Sequence, residues 1–238
     1  MDTSWPLTKL LHGLSEKNYD RKFSAYRFWV ELGAAHGGVS DHQLYNNILS
    51  VADTMFDAIT LKWKHIADSS PPQYTGEGEL IHSNIHLLLR FITDAERDPV
   101  LSTYAIGLHD RLCRESLEQF FRHSLDHIAG GEAPPEFYAR VNLIAHWVNL
   151  GHVSLEDIRD HILQSLTFLH PTVRSYQLNS MMILLKIAGA TFAAHVDPSV
   201  MDRCYDLIKP SNLGGKFVIV ELAEVRTLIS TMKISYEC

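Results

Sequence analysis

The sequence predicts an all-α chain of stacked antiparallel hairpins, an α-solenoid of about ten or eleven helices. Two observations point there. Apolar residues recur at steps of three and four along nearly every segment, with no convincing period-two alternation. Three prolines, Pro99, Pro135 and Pro171, stand 36 residues apart, each where an amphipathic helix would open. Proline suits that position, because the first N–H of a helix has no intrahelical partner.

Taken in order, Ser4 is placed to cap a short first helix that Trp5 and Pro6 open. A second helix begins at Asp20, sets Phe23, Tyr26 and Val30 on one face, and ends at Gly37-Gly38, where glycine accepts a left-handed cap. Ser40 starts a long third helix with Tyr45, Ile48, Ala52, Met55 and Ile59 as its apolar stripe. Residues 69–78 hold two prolines and two glycines and are expected to form the main loop, with helix returning from Leu80 to Ile92.

From Pro99 the sequence reads as three hairpins: 99–112 with 116–128, 135–150 with 154–169, and 172–196 with 198–208. In the second, Phe137, Val141, Ile144 and Val148 share a face, and Ser154 with Asp157 forms a capping pair. The helix 172–196 is apolar almost all round beyond Met181, so Met182, Leu185 and Phe192 are expected in the core. A last helix spans 216–232; within it, residues 217–220 also have strand-like β-branched content. The chain is expected to be one domain over 1–238, with residues 1–76 as divergent N-terminal helices and 77–238 as the hairpin array.

The run His170-Pro171-Thr172-Val173-Arg174 resembles the opening of a HEAT repeat, whose first helix often begins Asp-Pro-x-Val-Arg. Asp197-Pro198-Ser199-Val200 and Asp98-Pro99-Val100 are partial echoes. His170 replaces the usual aspartate, and the last echo lacks the spacer residue. The resemblance to HEAT and armadillo-like proteins covers about residues 99–208. It implies a scaffold, adaptor or transport receptor, with the second helix of each unit lining the concave side. Arg159, Gln164, Arg203 and Arg226 then become the expected partner-binding residues, suited to an acidic or mixed peptide, or to a helix of another subunit.

Composition narrows the class. A formal net charge of −7 argues against a dedicated nucleic-acid binder. Lys17, Arg21, Lys22 and Arg27 gather near the start, but Glu16, Asp20 and Glu31 are interspersed. Cys113, Cys204 and Cys238 are odd in number and scattered, giving no disulfide framework and no zinc spacing, so reduced thiols in the cytosol or nucleus are expected. No basic segment leads into an apolar run at the N-terminus, as a signal peptide requires. The most apolar stretch, 181–194, contains Lys186 and is too short to span a bilayer.

Chemistry is sparsely supported. His82/His86 and His123/His127 have the spacing that puts two imidazoles on one helix face, without the glutamate of a zinc-protease motif. His109-Asp110 resembles the doublet of the all-helical HD phosphohydrolases; His82 or His86 would then supply a first ligand and Asp160 the last. Cys113 lies between arginines at 111 and 114 but reads better as a small core residue. Residues 212–216 lack the spacing of a phosphate loop. Trp29, Trp63 and Trp147 fall within apolar stripes and are expected in the core. The leading expectation is a non-catalytic scaffold without metal or cofactor that binds a protein partner. A metal-dependent HD-type hydrolase is the alternative.

Overall fold

A computed structural model describes residues 5–68, 75–125 and 133–154, and beyond these residues 156, 158, 180, 183–189, 191 and 227. Six α-helices can be delimited among the described residues: α1 (Trp5–Leu11), α2 (Tyr19–Ala35), α3 (Asp41–Asp68), α4 (Thr75–Arg97), α5 (Leu108–Leu125) and α6 (Pro135–Asn149); residues 183–189 are helical as well. A 3₁₀ turn, Leu101–Thr103, stands between α4 and α5, and there is no strand among the described residues. The chain forms two compact units. The first comprises Met1–Lys62 and Glu79–Leu112; the second comprises Trp63–Gly78 and Cys113–Cys238.

In the first unit the helix starts follow local chemistry. Ser40 and Gln43 form a reciprocal capping box at α3. The Ser40 backbone N–H donates to Gln43 Oε1 at 2.9 Å, and the Gln43 N–H donates to Ser40 Oγ at 3.3 Å. α3 buries Leu44, Ile48, Val51, Ala52, Met55, Phe56 and Ile59. The expected stripe is found there except at Tyr45, which is 36% exposed; Leu44 takes the inward place beside it. Tyr26 of α2 donates its hydroxyl to Asn47 Oδ1 of α3 at 2.7 Å. Phe23 and Tyr26 meet Phe91 of α4, each with ring centroids 6.2 Å apart. These aromatics fix α2 against both neighbours.

Two boundaries differ from the sequence reading. α4 begins at Thr75 rather than Leu80. Gly76 and Gly78 weaken a helix without forbidding it, whereas Pro71 and Pro72 lie before its start. The expected helix 99–112 is absent. Asp98 Oδ1 accepts from the N–H groups of Val100 and Leu101, at 2.8 and 3.1 Å, and so closes a turn around Pro99. Gly107 has φ +73, a left-handed conformation that interrupts helical continuity before Leu108. α5 then runs unbroken through Ser116, the residue expected to open the second helix of that hairpin.

In the second unit α6 begins at Pro135, as the sequence predicts. It is not half-buried: beyond the expected face it also buries Tyr138, Ala139, Asn142, Leu143, Ala145 and Trp147. Phe137 stacks on Phe120 of α5 at 6.0 Å, and Tyr138 packs on Trp63 from the end of α3 at 5.7 Å. α6 ends in a Schellman motif. The N–H of His152 bonds to Trp147 O and that of Gly151 to Val148 O, with Gly151 at φ +75. Asn149 then reaches the carbonyl of Ile187 and accepts from Thr191 Oγ1.

Trp29, Trp63, Trp147 and Leu185 are buried, as expected. Cys113 is half-buried rather than a core residue. Ser154 Oγ accepts from the N–H of Glu156, so the capping role expected of Ser154 is present. Asp157, Pro171, Met182, Phe192, Pro198, the helix expected over 198–208 and, except for the helical and exposed Thr227, that expected over 216–232 lie outside the described residues.

Candidate functional site

Ionisable side chains of the first unit engage chiefly in joining helices. Lys22 of α2 directs its ammonium at three carbonyl oxygens, those of Lys9, Leu10 and His12, at the end of α1. A cation at the C-terminus of a helix satisfies its orphan carbonyls and complements its dipole. Arg90 of α4 pairs with Glu16, Asp20 and Asp94, and its guanidinium lies 4.2 Å from the centre of the Tyr19 ring. Arg27 pairs with Asp98 at 2.8 Å and, more distantly, with Glu31. Two members of the basic group near the start of the chain are therefore held internally.

Burial pushes the phenol of Tyr19 above its ordinary range; the neighbouring Asp94 adds to this and Arg90 opposes it. Burial alone does the same for Tyr26. Both phenols stay neutral in the fold, and Tyr26 donates its hydroxyl to Asn47.

The His-Asp doublet sits at the start of α5. The backbone N–H of His109 donates to Glu96 Oε1 at 2.8 Å, and Asp110 lies exposed in the first turn of the helix. Carboxylates at these positions complement the helix dipole. His82 is half-buried and His86 exposed on α4. His123 belongs to α5, whereas His127 and Asp160 lie outside the described residues. Among the described residues, no three His, Cys, Asp or Glu side chains come close enough to hold a metal ion. Arg159, Gln164, Arg203 and Arg226 all lie outside the described residues.

A feature that the sequence reading missed lies in the first unit. A cavity of about 150 Å³ opens between the end of α1, α3 and α4. Leu11 and Leu14 form one wall, Met55 and Leu87 the floor, and Thr54 and Ala58 the rim. Asn84 adds the polar edge; its carboxamide makes no hydrogen bond to any described residue. Elsewhere, Ile106 and Phe28 of the first unit are 75% and 60% exposed, and Leu150 of the second is also exposed.

No helix among the described residues is long and apolar enough to cross a membrane. Compared with family models, curated proteins and solved structures, the chain has no match.

Proposed function

We propose that the chain is a non-catalytic helical scaffold, arranged as stacked hairpins, that captures a protein partner along a groove. The observation that carries this reading is the use of its charged side chains. Lys22, Arg27 and Arg90 bind helix ends and neighbouring helices. Arg140 of α6 likewise pairs with Glu136 at 2.8 Å and reaches Ser116 of α5. This is the pattern of a frame in which polarity fixes helix positions. A reaction centre instead gathers ionisable groups around an open space. The helical character of the described residues supports the same reading. The groove residues are Arg159, Gln164 and Arg203, on second helices of successive hairpins, and Arg226 on the last helix beyond them; the partner is an acidic or mixed peptide or helix.

Two double variants test the proposal. Arg159→Glu with Arg203→Glu is expected to weaken partner capture in a pull-down from native cells. His109→Ala with Asp110→Ala is expected to leave both capture and cellular role intact when helicity is retained. Loss of function confined to the second variant, together with a stoichiometric transition metal that survives dialysis of the parent, would replace the scaffold reading with a metal-dependent hydrolase.

A further inference from the structure

We infer that the cavity between α1, α3 and α4 is a binding site for a small neutral molecule of about phenol size, with an apolar body and one hydroxyl or carbonyl group. The inference goes beyond the scaffold reading and does not depend on it.

Size comes first. The pocket offers about 150 Å³, room for a benzene-sized molecule; it opens to solvent at Thr54 and Ala58 and is below the volume of ordinary drug or cofactor sites. The walls supply the apolar contact: Met55 and Leu87 are buried at the floor, and Leu11 and Leu14 are half-buried at the side. None of the seven lining residues is ionisable, so a charged ligand would lose hydration without finding a counter-charge. Asn84 supplies the polar contact. Its carboxamide, without a partner among the described residues, can donate to a ligand oxygen or accept from a ligand hydroxyl. Thr54 has its hydroxyl proton committed to Ser50 O, at 2.7 Å, and retains only acceptor capacity.

The space is also kept open by interactions outside it. The wall carrying Leu11 and Leu14 is pinned by Lys22 on the α1 carbonyls. Asn18 bridges the same turn, donating to Gly13 O at 2.8 Å and accepting from the Ser15 N–H at 3.0 Å. Arg90 draws in Glu16 just beyond it. Arg90 follows Leu87 by three residues on α4, so the residue that ties down the turn is the neighbour, one turn on, of one that lines the cavity. A wall held from outside does not need to collapse inward, and this preorganisation lowers the cost of binding.

The test is a titration of the full chain with phenol, benzene and benzoate, read on the methyl signals of Met55 and Leu87. Phenol is expected to give saturable shifts, benzene to bind about 10-fold more weakly for want of the hydrogen bond, and benzoate at neutral pH to give no saturation. Asn84→Leu is expected to weaken phenol by roughly 5- to 10-fold while leaving benzene bound. Ala58→Phe, at the exposed rim, is expected to abolish binding of both. Shifts that do not saturate with phenol, equal affinity for all three probes, or parental phenol binding in a helical Ala58→Phe protein would each overturn the assignment.

Discussion

Asn142 stands in the middle of α6 with no exposure to solvent. Its Nδ2 donates to Tyr138 O one turn back at 3.2 Å, while Oδ1 has no partner among the described residues. A buried carbonyl without a donor carries a desolvation cost that an apolar group of similar shape avoids. Asn142→Leu is therefore expected to raise unfolding free energy by about 1–2 kcal/mol in a denaturant titration. A loss of similar size would mean that Oδ1 has a donor. The buried tyrosines give a prediction in pH. Tyr19 and Tyr26 have folded pKa values above the ordinary 10.0, so the native state keeps phenolic protons that the unfolded chain releases. Their contribution is fully present below pH ~10 and declines as pH rises above that value, with a slope of up to about 1.4 kcal/mol per pH unit for each tyrosine. Tyr26→Phe loses the bond to Asn47 and starts from lower stability, yet its alkaline decline should be shallower than that of the parent. Equal slopes would show that Tyr26 ionises as freely folded as unfolded.

Helix boundaries separate what the sequence discloses from what it conceals. Ser40 was legible as the start of α3 because a serine ahead of an apolar 3.6-residue stripe has few other uses, and Gln43 completes the box. Ser40→Ala is expected to cost about 0.5–2 kcal/mol, measured by thermal or chemical unfolding. An unchanged protein would place the start of α3 under the control of packing alone. Pro135 was legible for a similar local reason. Pro99 was not, because a proline can open a helix or sit in a turn, and the deciding groups were the Asp98 carboxylate and the positive φ of Gly107. Equal proline spacing thus concealed unequal roles. The breadth of burial on α6 was also hidden. Periodicity located Phe137, Val141, Ile144 and Val148, but Tyr138 and Trp147 are buried as well, and Tyr138 packs on Trp63, far away in sequence. The cavity was illegible for a related reason. Its lining comes from three segments, and a hydrophobic pattern says which faces turn inward without saying where they fail to fill the space between them.

At the scale of the molecule, the all-α class follows from the described residues, and each compact unit draws on segments far apart in sequence. Far-ultraviolet circular dichroism of the full chain is expected to be dominated by helix. A β-dominated spectrum would overturn the all-α class. Charge was legible only as a total. The sequence showed basic residues clustered near the start, but not that Lys22 and Arg27 are turned to α1 and to Asp98. Replacing either removes a fastening between elements.

The broad burial of α6 bears on how the chain is made. As it leaves the ribosome, residues 135–149 can turn only a few positions to water (Glu136 and Asn149 are exposed, Arg140 and His146 half-buried), so forming the helix early leaves most of its apolar surface unshielded. Protection must come from residues already synthesised, such as Trp63 and Phe120, or from a chaperone that holds the segment until the remaining chain arrives. α6 therefore depends for its shielding on segments made before and after it.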